Sequence, residues 1–152
     1  MITVPPALST RIHELIRGTR RIGFVFHRNP DGDSIGAGLA LALYAISINK
    51  PVTLYCATGV SEVFAKLPLV GQAQSDPTIF EREVCDVVIV SDAGDPAFAG
   101  IAGIAALASS TVINIDHHPT NTRYGDVNLI IPVAASTTEV VHAILVSWGV
   151  SI

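Results

Sequence analysis

The chain has 152 residues, of which 49% are hydrophobic and 14% are charged, and its formal net charge is −4. This length and composition fit one globular domain with a substantial core and exclude a disordered chain. The sequence has no basic stripe, which argues against long duplex DNA as a partner, and no apolar run long enough to span a membrane. The N-terminus lacks the pattern of a signal peptide, so we expect a cytoplasmic protein.

Alternating helical and strand patterns predict an α/β fold. In chain order we expect a helix over 10–18 capped by Ser9 or Thr10, a strand over 22–26, a helix over 34–48, a strand over 52–56, short helices and loops over 61–82, a strand over 86–90, a helix over 97–108, strands over 112–115 and 127–131, and a helix over 136–148. Strands rich in Val and Ile that alternate with helices indicate a mostly parallel twisted sheet with helices on both faces, as in Rossmann-like folds.

Acidic and imidazole side chains follow three of the predicted strands, at the point where each strand ends. The residues in these positions are His27, Asn29, Asp31 and Asp33 after the first strand, Asp92 and Asp95 after the third, and Asp116, His117 and His118 after the fourth. In a parallel sheet these strand ends share one edge, where open α/β folds bind ligands, so we expect the side chains to converge. Several carboxylates in one crevice repel one another and must be neutralised by protons or cations.

Of the two ways to neutralise the carboxylates, protons or cations, a metal centre is the more specific hypothesis. Imidazole together with carboxylate suits Mn, Fe, Co or Zn, and the excess of carboxylates favours hard ions such as Mn²⁺ or Mg²⁺. The ligands are too many for one ion, whereas two ions roughly 3.5–4 Å apart that share a bridging aspartate would use them all. Such a pair activates water and clamps a phosphoryl oxygen, so the cluster predicts chemistry on a phosphorylated substrate.

Each motif also has a simpler interpretation when it is taken alone. The Asp31–Asp33 stretch is typical of a surface turn, with Asp33 or Ser34 as a helix cap, and adjacent histidines after a strand are often solvated. Three such strand ends in one chain are hard to explain by turn chemistry. They favour metal binding for His27, Asp31, Asp33, Asp92, Asp116 and His117.

Other polar and sulfur-containing residues are interpreted structurally. Asp95 is expected to cap the helix predicted after it, and Ser136–Glu139 resembles a capping box. Cys56 and Cys85 have no metal-binding or disulfide-type spacing, so we expect two reduced thiols in the core.

Four motifs, in this order along the chain, resemble those of the DHH phosphoesterase family. They are HRNPDGDSIGAGLAL, VIVSDAGDP, INIDHHPTNTRYGDVNLI and AASTTEVVHAIL. The resemblance spans residues 21–152 and is closest to the branch of oligoribonucleases (nanoRNases) and 3'-phosphoadenosine 5'-phosphate phosphatases. It implies hydrolysis of phosphoester bonds in a short single-stranded oligonucleotide or a small phosphorylated nucleotide. The reaction would use a metal-activated water at a dinuclear Mn²⁺ site, in which Mg²⁺ or Co²⁺ are substitutes.

The resemblance also implies a set of metal ligands. His27 and Asp31 would hold one metal ion, and Asp33 and His117 would hold the other. Asp92 would bridge the two ions.

Four further residues receive roles from the same resemblance. Asp116 would orient the histidines, and His118 would reach the scissile phosphate or the leaving oxygen. Arg123 is a candidate phosphate contact, with a solvated arginine as the alternative, and Asn29 is a candidate substrate contact.

Two features depart from the family pattern. The family usually has an arginine shortly after the second motif, where this chain has Pro96, Ala97 and Phe98. The chain also reaches Ile152 without the further ligand aspartate and the second, DHHA1-type substrate domain of related proteins. We therefore expect residues 1–152 to form a single DHH domain that is incomplete at its C-terminus, or a naturally short relative. Apolar surface left uncovered in this way could support a homodimer.

Two other functions stay open. The chain could be a non-catalytic metal- or nucleotide-binding module that needs a missing domain or a partner. It could also be an inorganic pyrophosphatase, since those enzymes use a related motif set. A dinucleotide-binding domain is disfavoured, because Gly32, Gly36 and Gly38 do not have the G-x-G-x-x-G spacing.

Overall fold

The computed structural model of the protein describes residues 2–151. In chain order, the helices and strands of this range are α1 (Pro6–Gly18), β1 (Ile22–Phe26), α2 (Gly32–Ser47), β2 (Val52–Cys56), α3 (Ile79–Arg82), β3 (Val87–Ser91), β4 (Thr111–Asp116), β5 (Val127–Ile130) and α4 (Thr137–Ser147). Short 3₁₀ helices lie at Glu62–Phe64, Val70–Gln72 and Ala105–Leu107. None of the helices within residues 2–151 has the length and apolarity that a bilayer crossing requires.

The five strands form one parallel sheet in the order β2-β1-β3-β4-β5. Phe26, the last residue of β1, pairs with Cys56 of β2 and with Ser91 of β3, so these strands end level with one another. After β1 the chain continues to β2, on one side of the β1–β3 pair, and after β3 it continues to β4, on the other side of this pair. The carboxyl ends of β1 and β3 therefore flank the topological switch point, where open α/β sheets bind ligands. The predicted α/β fold is confirmed.

The two faces of the sheet are covered differently. Phe24 and Phe26 of β1 point to the face that α1, α2 and α4 cover, whereas Val25 points to the opposite face. There it packs in a second cluster with Phe80 of α3 and Leu107 of a 3₁₀ helix. Cys56 and Cys85 are free and buried, as predicted.

The start of α2 lies close above the ends of β1 and β3. A Cβ at Gly38 would lie only 2.6 Å from Cε1 of Phe26 and 3.2 Å from Oγ of Ser91, so glycine permits this approach. The backbone N–H of His27 donates to Oγ of Ser34 at 3.2 Å. The Ser91 hydroxyl donates to the Ser34 carbonyl, also at 3.2 Å. These contacts fix the first turn of α2 relative to the two strand ends.

The predicted start of the first helix is wrong, and so is one predicted helix as a whole. The first helix begins at Pro6 rather than at residue 10, with Pro5 at its cap position, so Ser9 and Thr10 do not cap it. Proline suits the first helical position because its φ is preset and it has no N–H to leave unpaired. The helix predicted over 97–108 is absent from this described segment. Its glycines at 100 and 103 adopt φ values of 72° and 82°, which end a helix, and only the 3₁₀ turn at 105–107 forms.

Candidate metal centre

The carboxyl ends of β1, β3 and β4 bring imidazole and carboxylate groups into one crevice. His27 Nε2 lies 3.7 Å from Oδ1 of Asp31 and 3.6 Å from Oδ2 of Asp92. His117 Nε2 lies 3.9 Å from both Oδ2 of Asp33 and Oδ1 of Asp92. These separations are too long for hydrogen bonds. They are compatible with two donors on one ion, because such bonds measure about 2.0–2.2 Å for nitrogen and oxygen on zinc.

Two overlapping groups of side chains have the spacing of metal ligands. His27, Asp31 and Asp92 form one group, and Asp92, His117 and His118 form the other, with all ligand atoms of a group within 4.8 Å of one another. Asp92 belongs to both groups, which is the position of a bridging ligand.

Backbone carbonyls orient the rings of His27 and His117, the two histidines that the resemblance implies as metal ligands. Nδ1 of His27 lies 2.8 Å from the carbonyl oxygen of Arg28, and Nδ1 of His117 lies 3.1 Å from that of Ala134. A carbonyl oxygen only accepts, so in each ring Nδ1 donates, and Nε2 is the ring nitrogen left to coordinate a metal ion. A ring N–H fixed in this way is typical of metal-ligating histidines. The donor set therefore fits a metal centre.

Asp92 is held in an unusual backbone conformation. It is 3% exposed and has φ +61°, a left-handed conformation that non-glycine residues rarely adopt and that is found at functional sites. Its backbone N–H donates to the Ile115 carbonyl of β4 at 2.9 Å. The turn after β3 thereby places the carboxylate at the switch point, where Oδ2 faces His27 and Oδ1 faces His117.

Asp31 and Asp33 come from the start of α2. Asp31 is the N-cap of this helix, and its Oδ1 accepts from the N–H groups of Asp33 and Ser34 at 2.9 and 3.0 Å. The cap is therefore Asp31, and the alternative in which Asp33 or Ser34 caps α2 is wrong. Asp33 belongs to neither three-residue group. Its carboxylate instead accepts hydrogen bonds from the start of α4, with Oδ2 still near His117.

Asp116 is fully buried and organises the two histidines that follow it. Its Oδ1 accepts from the backbone N–H groups of His117 and His118 at 2.7 and 3.2 Å and lies 2.7 Å from Nδ1 of His118. Its Oδ2 accepts from Nδ2 of Asn121 at 2.6 Å. Since both oxygens have partners, Asp116 supports the histidines and lies outside both groups of candidate ligands.

His118 lies at the exposed side of the crevice, with 48% of its side chain accessible. Its Nδ1 is 3.7 Å from Oδ1 of Asp92, and its bond to Asp116 leaves Nε2 as the ring nitrogen available to a ligand. The hydrogen bond to Asp116 raises the pKa of His118, with burial acting in the opposite direction.

The electrostatic environment favours positive charge. Burial disfavours protonation of His27, but the nearby Asp92 carboxylate and the hydrogen bond to the Arg28 carbonyl raise its pKa overall. Burial likewise disfavours ionisation of Asp31, but the N–H groups of Ser34 and Asp33 and the nearby His27 lower its pKa. A crevice that stabilises an imidazolium in this way also attracts a metal cation.

The two predicted substrate contacts are each two residues from a residue of the crevice, Asn29 from His27 and Arg123 from Asn121. Asn29 is exposed, has φ 52°, and donates its backbone N–H to Oγ of Thr58 at 2.8 Å. Arg123 is exposed, has φ 55°, and donates its backbone N–H to Oδ1 of Asn121 at 2.7 Å. Neither side chain belongs to the candidate ligand groups, and the substrate-binding roles stay predictions.

Phe98 lies in the segment where the resemblance led us to expect an arginine. Its ring stacks on His27 with centroids 4.8 Å apart and an interplanar angle of 20°, and it is 48% exposed. Its carbonyl accepts from the Arg28 N–H at 3.0 Å, and its own N–H donates to Oδ1 of Asp95 at 2.8 Å. Asp95 thus caps a turn, because the helix predicted after it does not form.

Three residues of the crevice were missed by sequence reasoning. Asn121 joins Asp116 to Asn114, with Nδ2 of Asn121 2.7 Å from Oδ1 of Asn114. Thr137 and Thr138 donate to Asp92 and Asp33. The available signal for the threonines was their place at the start of the helix after the last strand, in a stretch whose local role was interpreted as a capping box.

Known proteins share sequence and fold with this chain. The profile described as DHH family, N-terminal domain, matches residues 21–149. The chain is 29% identical over 124 residues to the bifunctional oligoribonuclease and PAP phosphatase NrnA of Thermus thermophilus, a match that covers 82% of this chain and 36% of NrnA. The fold matches an exopolyphosphatase-related protein from Bacteroides fragilis with a TM-score of 0.89 and 21% identity, over 98% of this chain and 46% of that one. The chain thus spans less than half the length of either relative, and it belongs to the DHH family.

Proposed function

We propose that this protein is a metal-dependent phosphoesterase that hydrolyses phosphoester bonds of short oligonucleotides or of 3'-phosphoadenosine 5'-phosphate. The observation that carries the proposal is the buried carboxylate of Asp92, which has one oxygen 3.6 Å from Nε2 of His27 and the other 3.9 Å from Nε2 of His117. Family membership supports hydrolysis of a phosphoester, and the relative NrnA is named for both substrates.

The proposed centre would hold two cations. His27 and Asp31 would hold one ion, Asp33 and His117 the other, and Asp92 would bridge them. Neutral imidazole and carboxylate oxygen are suitable donors for Mn²⁺, with Mg²⁺ or Co²⁺ as substitutes. When bound, the cations would lower the pKa of a water molecule and neutralise charge on the phosphoryl oxygens.

The chain's own residues would orient the metal ligands and donate a proton to the leaving group. The carbonyls of Arg28 and Ala134 hold the two ligand rings in place, so little reorganisation accompanies metal binding. Asp116 holds Nδ1 of His118 and favours the protonated ring. His118 would then donate a proton from Nε2 to the leaving oxygen, as a general acid does. Asn29 and Arg123 would contact the nucleotide.

The partner and assembly predictions belong to the same proposal. A small phosphorylated nucleotide or a short single strand fits a crevice of this kind, and long duplex DNA is not expected to bind. Apolar side chains of Leu43, Ile46 and Val146 on the outer faces of α2 and α4 are 40–47% exposed, which supports the homodimer as a prediction.

Substitution of Asp92 tests the proposal. Asp92→Asn removes the charge of the bridging carboxylate, so hydrolysis of 3'-phosphoadenosine 5'-phosphate and of a short oligoribonucleotide with Mn²⁺ should fall about 100-fold or more. The matched control is Asp126→Asn, since Asp126 contacts the backbone N–H of Val112 at the opposite, amino edge of the sheet. This control should keep the wild-type rate.

Three outcomes would contradict the proposal. An Asp92→Asn variant with the wild-type rate would remove Asp92 from the reaction. Mn²⁺ binding without hydrolysis of either substrate would favour a metal- or nucleotide-binding module. Hydrolysis of pyrophosphate alone, measured beside the two nucleotide substrates, would favour an inorganic pyrophosphatase.

A further inference from the structure

The start of α4 contacts two proposed metal ligands that belong to other parts of the chain. Thr137 is fully buried, and its hydroxyl donates to Oδ1 of Asp92 at 2.8 Å. Its backbone N–H donates to Oδ2 of Asp33 at 2.8 Å. Thr138 donates its N–H and its hydroxyl to Oδ1 of Asp33 at 2.7 and 2.6 Å. One helix start therefore joins the carboxylate after β3 to the carboxylate in the first turn of α2.

The Thr137 hydroxyl is not required to cap α4. Ser136 is the N-cap residue, and its Oγ accepts from the Glu139 N–H at 3.0 Å. The N–H groups of Thr137 and Thr138, which have no partner inside the helix, are satisfied by Asp33. The buried hydroxyl of Thr137 therefore donates its hydrogen bond to Asp92 and has no part in capping the helix.

The contact constrains how the Asp92 carboxylate is turned. Oδ1, which Thr137 holds, is the oxygen 3.9 Å from His117 Nε2, whereas Oδ2 is the oxygen 3.6 Å from His27 Nε2. A carboxylate can rotate about its Cβ–Cγ bond, and rotation would carry both oxygens away from the histidines. The hydrogen bond from Thr137 opposes this rotation and keeps one oxygen on each side.

We propose that Thr137 is a positioning residue for the metal centre. Its hydroxyl sets the rotation of the Asp92 carboxylate so that this side chain can bridge two cations. This inference rests on the dinuclear site proposed above, and it adds to that site a residue that touches neither metal nor substrate.

Metal affinity separates this role from a general effect on folding. Thr137→Val keeps the shape of the side chain and removes the donor, whereas Thr137→Ser keeps the donor. Mn²⁺ affinity and stoichiometry of the full chain are measured from the electron paramagnetic resonance signal of free Mn²⁺. Thr137→Val should weaken binding about 10-fold or more, since partners of metal ligands typically contribute about 10–100-fold. Thr137→Ser should restore the wild-type affinity.

Ser136→Ala is the matched control. It removes the cap of the same helix without touching Asp33 or Asp92, so it should lower the melting temperature in EDTA and leave Mn²⁺ affinity unchanged. If Thr137→Val does not fold, Thr137→Ala is measured against the same expectation.

The outcomes distinguish this inference from the proposed function. Wild-type affinity in Thr137→Val, or equal weakening in Thr137→Val and Ser136→Ala, would overturn the positioning role while the metal centre stands. A wild-type chain that binds no Mn²⁺ would overturn the metal centre and the positioning role together.

Discussion

At the scale of single residues, buried polar side chains are concentrated at the candidate metal centre. The buried polar residues in or beside the crevice are His27, Ser34, Ser91, Asp92, Asn114, Asp116 and Thr137. Among the described residues, no fully buried side-chain nitrogen or oxygen lacks a hydrogen-bond partner. Because an unpaired buried polar group costs free energy, this complete pairing indicates an ordered network rather than carboxylates trapped by chance.

The ion pair of Asp86 predicts a small acid-sensitive part of the stability. Hydrogen bonds from Arg20 lower the pKa of Asp86 from 3.8 to about 2, and the closest Arg20 nitrogen is 2.7 Å from Oδ1. The folded state therefore binds this proton less readily than the unfolded chain. The stabilisation is fully present above pH 4 or so and is lost as the pH falls toward about 2.

Substitution of Arg20 measures that contribution. Arg20→Gln should raise the pKa of Asp86 toward its usual value, as followed by ¹³C NMR of the carboxyl group. The unfolding free energy at pH 7 should fall only slightly, because the pair is exposed and screened by solvent. Arg82→Gln, which removes a cation that pairs with Asp76 instead, is the control and should not move Asp86. An Asp86 that titrates near 3.8 in the wild-type chain would refute the ion pair.

The metal-ligand candidates could be named from sequence, but the residues that orient them could not. Asp and His at strand ends are visible because parallel strands share one edge. The contact between Thr137 and Asp33 joins residues 104 positions apart, and it depends on how α4 packs on α2. The sequence carries no local sign of that packing, so Thr137 was recognised only from coordinates.

At the scale of elements, strands were predicted more reliably than helices. The bounds of β1 and β2 match the prediction, because runs of apolar and β-branched residues are interrupted clearly at their ends. The segment 97–108 was predicted as helical from its alanines. The backbone at Gly100 and Gly103 takes positive φ instead, a choice that composition does not reveal.

Packing of α2 on β1 predicts a large effect at Gly38. In Gly38→Ala the new Cβ would lie 2.6 Å from Phe26, which is itself fully buried, so the helix or the ring must shift. We expect the unfolding free energy in urea to fall by about 1–3 kcal/mol. Gly18→Ala is the control, since nothing lies within 4 Å of the added Cβ. Equal stability of Gly38→Ala and the wild type would show that α2 does not approach β1 so closely.

At the scale of the whole molecule, the order of the strands locates the site. In the β2-β1-β3-β4-β5 order, the connection after β1 leads to one side of the sheet and the connection after β3 leads to the other side. The crevice lies between these two connections, and the Asp92 carboxylate lies in it. Sequence reasoning predicted a shared edge but not the strand order. The order follows from how the segment between β2 and β3 crosses the sheet, and its short helix and loops carry little periodic signal.

The central claim is that the three strand ends gather around a pair of cations, and anomalous diffraction tests it most directly. Crystals of the chain grown with Mn²⁺ are measured at the manganese absorption edge. The account predicts two anomalous peaks, one among His27, Asp31 and Asp92 and the other among Asp33, Asp92 and His117. Manganese found elsewhere on the protein, with no peak in this crevice, would contradict the account.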